Sequence, residues 1–174
     1  ENSILKVKQL SIDRDIQNYL KEVSTREQVK THPLYEEVLD TLGNIRNSDA
    51  RIFLTWVANE KANFYLDNYA EIPDTTYDVK VRPWYKTANS KEGINFTEPY
   101  IEWETNKIVV SAIEALYDND QPYGFIAVDF KLDTLPDVIS QIDVGENGQI
   151  FIIDEFGTYM YHADATKVLT LSMK

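Results

Sequence analysis

The chain has 174 residues, 43% of them hydrophobic, and a formal net charge of -12. A core of ordinary size is expected and disorder is not, while so acidic a chain is ill suited to nucleic acid or anionic lipid, which need a basic face. It has no cysteine and only two histidines, His32 and His162, so disulfides and thiolate metal sites are excluded and a zinc centre is not expected.

Residues 1 to about 47 read as helical. Ile12, Ile16, Tyr19 and Val23 recur at helical spacing with charges between them, which predicts one long amphipathic N-terminal helix whose stripe is too narrow for deep burial. Ser24 and Thr25 are candidate caps and Pro33 a break or restart. A second stripe follows at Leu34, Val38, Leu42 and Ile45. The first stripe suits a partner helix, a helix laid on a domain, or both. No run approaches the roughly 18 apolar residues of a membrane span, and no signal peptide is visible. The chain reads as a piece of something longer.

From residue 51 the character changes. Arg51 to Ala58 is rich in strand formers, Asn59-Glu60-Lys61 makes a turn, and Ala62 to Leu66 a short partner strand. Strands are further expected over Asn95 to Thr97, Pro99 to Glu102, Lys107 to Tyr117 and Tyr123 to Lys131, with Asp118-Asn119-Asp120-Gln121 turning between the last two. Direct hairpin links imply an antiparallel sheet. The fold class is therefore α+β, an antiparallel sheet flanked by helices. A short helix is expected over Leu132 to Ile142, then a hairpin, Gly148 to Asp154 and Thr158 to His162, opening a second module. The division is 1–47, a helical segment; 48–142, a ligand-binding module; and 143–174, the start of a truncated module.

The stretch Tyr77-Asp78-Val79-Lys80-Val81-Arg82-Pro83-Trp84-Tyr85 lies in a long connection between strands, where long loops commonly carry function. Pro83 keeps Arg82 extended and favours a short helix over Pro83 to Ala88. A forked guanidinium, an indole N–H, phenols and free helix-end amides together make an anion site, with a carboxylate as its natural guest. The same residues also suit a role in packing, with Arg82 paired to an internal carboxylate. Asp129 interrupts the apolar strand Gly124 to Phe130 and needs donors or a cation. It either caps a loop, pairs with Arg82, or meets a ligand ammonium, to which Tyr100 would add an aromatic face. A guanidinium at one end and a carboxylate at the other fit a zwitterion, an α-amino acid.

Tyr77, Arg82, Trp84, Tyr85 and Ala88, followed by Pro99-Tyr100 and a glycine strand ending at Asp129, resemble the membrane-distal module of double-Cache sensor domains. These PAS-like domains are extracytoplasmic parts of chemoreceptors and sensor histidine kinases. The resemblance covers about residues 1 to 142, and residues 148 to 164 are similar to the start of the membrane-proximal module. It implies a periplasmic or extracellular sensor, not an enzyme, without a cofactor, anchored in the membrane by helices outside this sequence and paired as a homodimer through the N-terminal helix. It further implies that Tyr77, Arg82 and Trp84 hold a ligand carboxylate, that Tyr100 and Asp129 hold its amino group, and that Tyr85 lines the pocket. Glu102 stands where the family often has Asp, and Ser111 where it often has Thr. An amine, a carboxylic acid or a purine is the alternative guest, and a histidine kinase the alternative output. Walls that read the guest's side chain are expected from Trp56, Phe64, Tyr65 or Glu102.

No nucleophile–base pair, metal triad or phosphate loop is present to support an enzyme. Asp143 to Ile150 has Asp, Asn and Gly at some calcium-loop offsets, but Gly145 stands at a ligand position and Asp154 replaces the closing glutamate. It reads as a turn. His162 is assigned no chemistry.

Overall fold

The computed structural model describes residues 2–132, 145, 148–154 and 156–170. The helix expected over Leu132 to Ile142 and most of the Asp143 to Gln149 loop lie outside these residues. Two compact units are resolved: residues 1–98 with 110–130, and residues 99–109 with 131–174.

The first unit begins with α1 (Asn2–Ser11), α2 (Arg14–Glu22), α3 (Gln28–Thr31) and α4 (Tyr35–Asn47). One long N-terminal helix is therefore not what forms. The break is chemical: the Asp13 carboxylate accepts from Asp15 N at 2.9 Å and Ile16 N at 3.0 Å, the geometry of an N-cap starting a new helix. Pro33 falls in the gap between α3 and α4, as expected. Ser24 caps the end of α2 and not the start of a helix: its Oγ donates to Glu22 O at 3.3 Å. Its backbone N–H and that of Thr25 donate to Gln28 Oε1. The first apolar stripe is also buried more deeply than its width predicts. Ile16, Tyr19 and Val23 are fully buried and only Ile12 is exposed.

The strands of this unit are β1 (Ile52–Asn59), β2 (Phe64–Asp67), β3 (Ile94–Phe96), most of β5 (Ile108–Asp118) and most of β6 (Gln121–Lys131). They run in the order β2-β1-β6-β5-β3. β1 is antiparallel to both β2 and β6, and β3 to β5. Asn119 and Asp120 join β5 to β6 with φ of 47° and 62°, the left-handed pair of a type I′ hairpin turn. The connection from residue 68 to 93 is not bare loop. It holds a 3-10 turn over Val79–Val81 and the helix α5 (Pro83–Ala88), whose bounds match the expectation.

Side chains on a strand alternate between faces, and registered antiparallel partners share a face. Thr55, Val57, Phe64, Leu66, Ile126 and Val128 therefore face one way. The apolar members of this group form one buried cluster with Leu10, Ile16, Tyr19, Leu20, Val38 and Leu42 of the helices. Polar clips fix this layer: Thr55 Oγ1 donates to Leu42 O at 2.7 Å, and Asn59 Nδ2 to Leu20 O at 2.6 Å. At Gly124 an added Cβ would stand 2.7 Å from Leu20 Cδ1, so only glycine permits α2 to approach β6 this closely.

In the second unit β4 (Tyr100–Ile101) pairs with the first residues of β5, Tyr100 opposite Val109. β7 (Phe151–Ile153) and β8 (Tyr159–His162) form a hairpin. Asp154 Oδ1 accepts from Phe156 N and Thr158 N at its turn, and Gly157 takes a φ of 84° there.

Candidate functional site

The opposite face of the sheet in the first unit carries Leu54, Trp56, Ala58, Tyr65, Phe125, Ala127 and Asp129, by register. It is as well buried as the helix face, but its chemistry differs: rings and polar groups replace branched aliphatics. Trp84 of α5 lies against Trp56 with centroids 4.8 Å apart and against Phe125 at 5.3 Å. Trp56 touches Tyr65 at 5.2 Å, Tyr65 touches Tyr77 at 5.8 Å, and the Arg82 guanidinium lies 5.1 Å from the centroid of the Tyr77 ring. A continuous run of rings thus leads from Arg82 to the sheet.

The run ends beside Asp129. Trp56 is registered opposite Ala127, and Leu54 opposite Asp129. Same-face neighbours on a strand are about 7 Å apart, so the Asp129 carboxylate belongs to the surface on which Trp56 and Trp84 lie. Asp129 is fully buried, and Ser111 Oγ donates to its Oδ1 at 2.6 Å. So short a charge-assisted bond orients the carboxylate firmly. Ser111 is itself placed by Thr97, whose Oγ1 accepts from Ser111 N at 2.9 Å.

The segment carrying Arg82 is held by residues that the sequence pattern did not single out. Asn63, at a φ of 49°, donates from Nδ2 to Tyr77 O and accepts at Oδ1 from Val79 N, both at 2.9 Å. Arg26 donates to Asn63 O at 2.7 Å and also to Pro73 O. Glu60 accepts from the Tyr85 hydroxyl at 2.7 Å and pairs with Lys80 Nζ at 2.9 Å. These bonds hold the Glu60 carboxyl below the usual range, the Tyr85 bond first and the Lys80 bond second. The Tyr85 phenol is pushed up to about 12 by its bond to Glu60 and by burial. Lys80 and Tyr85, one on each side of Arg82–Trp84, are therefore tied to one carboxylate on the β1–β2 turn. A turn rich in Asn, Glu and Lys was the available signal, but turn chemistry alone does not name distant partners.

Arg82 has φ of -72° and ψ of 142°, extended as Pro83 requires, and α5 has six residues. Peptide dipoles add along a helix, so one this short contributes little positive charge beside the Arg82 guanidinium. Phe64, expected among the walls, is not there. It faces the helices and meets Tyr19 at 5.9 Å. Tyr65, its neighbour, is on the ring-lined face.

Tyr100 and Glu102 belong to the second unit. Tyr100 is buried on β4. Glu102 accepts from Glu104 N at 3.1 Å, Thr105 N at 2.8 Å and Thr105 Oγ1 at 2.7 Å. Both carboxylate oxygens thus serve the turn before β5. Two clefts lie elsewhere. One of about 430 Å³ lies on the helix side of the first unit, lined by Glu36, Asp40, Gly43, Asn44 and Asn68 among others. The other, of about 300 Å³, lies within the second unit, lined by Lys107, Ile108, Leu132, Tyr161, His162 and Val168 among others. Among the described residues no acidic or histidine cluster is arranged to hold a metal ion, and no helix is long and apolar enough to cross a membrane.

A sequence model of the Cache domain matches residues 1–174. The chain belongs to the Cache domain family. The methyl-accepting chemotaxis protein McpG of Pseudomonas putida is 27% identical over 176 residues, 91% of this chain and 28% of that protein. PctB of Pseudomonas aeruginosa, another methyl-accepting chemotaxis protein, is 31% identical over 93 residues, 53% of this chain and 15% of that one. The Cache chain thus spans about a quarter or less of these relatives. In fold it is similar to the sensory domain of the Campylobacter jejuni chemoreceptor Tlp3 solved with isoleucine bound, with a TM-score of 0.65 and 18% identity over 98% of this chain and 65% of that one. The ligand-binding domain of PctB, solved with L-Arg, gives a TM-score of 0.61 at 24% identity over 95% of this chain and 64% of that one.

Proposed function

We propose that this Cache chain is the extracytoplasmic sensor portion of a transmembrane chemotaxis receptor and that it binds an L-amino acid without transforming it. The observation that carries the reading is the pairing of a charged group at each end of one aromatic surface. Arg82 stacks on Tyr77 at one end, and buried Asp129 stands on the sheet at the other, with Tyr77, Tyr65, Trp56 and Trp84 between them. Arg82 takes the ligand carboxylate in a forked pair. Asp129, oriented by Ser111, takes the ammonium. Rings exclude water, which strengthens both pairs. Tyr85 holds the loop through Glu60.

Two further features support the reading. The chain resembles solved chemoreceptor domains named with isoleucine and L-Arg bound, and its relatives are named as methyl-accepting chemotaxis proteins. Receptor output follows the N-terminal helices. Arg26, just after α2, bonds to Asn63 and Pro73, and Asn63 bonds the Arg82 segment at Tyr77 and Val79, so a shift of that segment on binding is transmitted to the helices. Exposed Ile4, Leu5 and Ile12 of the α1 region supply the face for a second copy.

Calorimetry with a panel of L-amino acids tests this. At least one binds the wild-type chain, and Arg82→Ala weakens it by two orders of magnitude, about 3 kcal/mol for a charged bidentate contact. Binding that survives the substitution removes the carboxylate assignment. A decarboxylated analogue that binds as well as its parent favours an amine sensor instead.

A further inference from the structure

Trp56 is fully buried, yet its indole N–H meets no acceptor among the described residues. Buried donors in folded proteins nearly always have a partner, and an unmet one costs the fold about 1–3 kcal/mol. Arg46 Nε and Glu114 Oε2 are also buried without a partner. Each of those groups is otherwise engaged: Arg46 Nη1 with Asn47 Oδ1 at 3.4 Å, and Glu114 Oε1 with Lys8 Nζ at 3.8 Å. Indole has a single donor and no second atom to engage.

Its position is as telling as its state. Trp56 stands in β1 between Asp67 of β2 and Ala127 of β6. It shares the ring-lined face with Asp129 and contacts both Trp84 and Tyr65. A residue chosen only to fill this space would be phenylalanine or leucine, which carry no donor to leave unmet. Trp56 lies outside the Tyr77–Tyr85 segment and outside the strand of Asp129.

From this we infer that Trp56 is a further ligand-binding residue, whose indole N–H donates to an oxygen of the bound guest. The inference rests on the amino-acid reading above and adds to it a third polar contact, placed on the aromatic wall between the two charged ends. A guest without an oxygen at that point leaves the donor unmet and is discriminated against, so the residue contributes to selectivity as well as to affinity. The oxygen belongs either to the α-carboxylate or to the guest's side chain.

Trp56→Phe keeps an aromatic ring, smaller than indole, and removes the donor. The experiment compares wild type and Trp56→Phe with L-alanine, L-valine, L-glutamine and L-arginine by calorimetry, and follows the indole N–H resonance that the substitution deletes. The expected results are a resonance that moves downfield at saturation and an affinity about tenfold weaker in Trp56→Phe for at least one ligand. A loss equal across all ligands that bind assigns the contact to the α-carboxylate. A loss confined to L-glutamine or another ligand with a side-chain oxygen assigns it to the side chain. If wild type binds but the resonance stays put and affinities agree within twofold, Trp56 is packing only and the inference is overturned while the amino-acid reading stands. If wild type binds none of the four, both fall.

Discussion

The two faces of the sheet in the first unit are made by alternate residues of the same strands, yet they are built to different ends. On one, Val57, Leu66, Ile126 and Val128 interlock with Leu10, Ile16, Leu20 and Leu42, and the polar groups there are spent on fixing helix to strand, as in Thr55 to Leu42 and Asn59 to Leu20. On the other, rings meet at 4.8 to 5.8 Å, a buried carboxylate is held by a serine, and an indole donor has no acceptor among the described residues. The first face supplies stability. The second gives some of it up to keep charge and donors in place, which is where a fold departs from its own packing rules when it binds something.

If that division is right, substitutions on the two faces separate into different readouts. Phe64→Ala, on the helix face, opens a cavity against Tyr19 and lowers stability by about 3–5 kcal/mol. Ligand affinity per folded molecule is unchanged, as denaturant melts and calorimetry on the same preparation would show. An affinity loss without a stability loss would erase the distinction. A smaller effect is expected from Ser111→Ala. It removes the 2.6 Å bond to Asp129 and weakens binding by about 1.5–3 kcal/mol, since the bond is to a charged group. Titration with L-alanine reads this, and unaltered affinity would place Ser111 among the merely structural contacts.

The smallest effect concerns the clamp below Arg82. The lowered Glu60 pKa means that its contribution to stability is complete above the ordinary carboxylate range and is lost as pH falls through the lowered folded value. The raised Tyr85 pKa works in the other direction, its share being lost as pH rises through about 12. Between those limits Glu60→Gln melts below wild type, and the gap closes below about pH 4. Melting curves across pH check this; a gap that widens in acid would show that Glu60 is not held by Tyr85 and Lys80.

Part of this division was legible in the sequence. The bounds of α5 followed from Pro83, and the β5–β6 hairpin followed from Asp118 to Gln121 between two long apolar strands. What was not legible turned on register and on distant partners. Phe64 and Tyr65 both looked like pocket walls, but neighbours on a strand point to opposite faces, and only the pairing of β2 with β1 decides which is which. The N-terminal helix looked continuous because Ile12 and Ile16 kept the period across Asp13, although Asp13 before Arg14 and Asp15 was itself a capping signal. The burial of Tyr19 came from α3 and α4 folding back over it: its hydroxyl bonds Val29 O at 2.8 Å and its ring meets His32. Asn63 as a clamp was hidden because its left-handed φ and its partners at Tyr77 and Val79 exist only in the folded chain.

The most direct trial sets three guests against three proteins: an L-amino acid that binds, the amine lacking its carboxylate, and the carboxylic acid lacking its amine, each titrated into wild type, Arg82→Ala and Asp129→Asn. A two-ended grip predicts that wild type prefers the zwitterion, that Arg82→Ala loses this preference over the amine, and that Asp129→Asn loses it over the acid. Equal weakening of all three guests by both substitutions, or none, would contradict it.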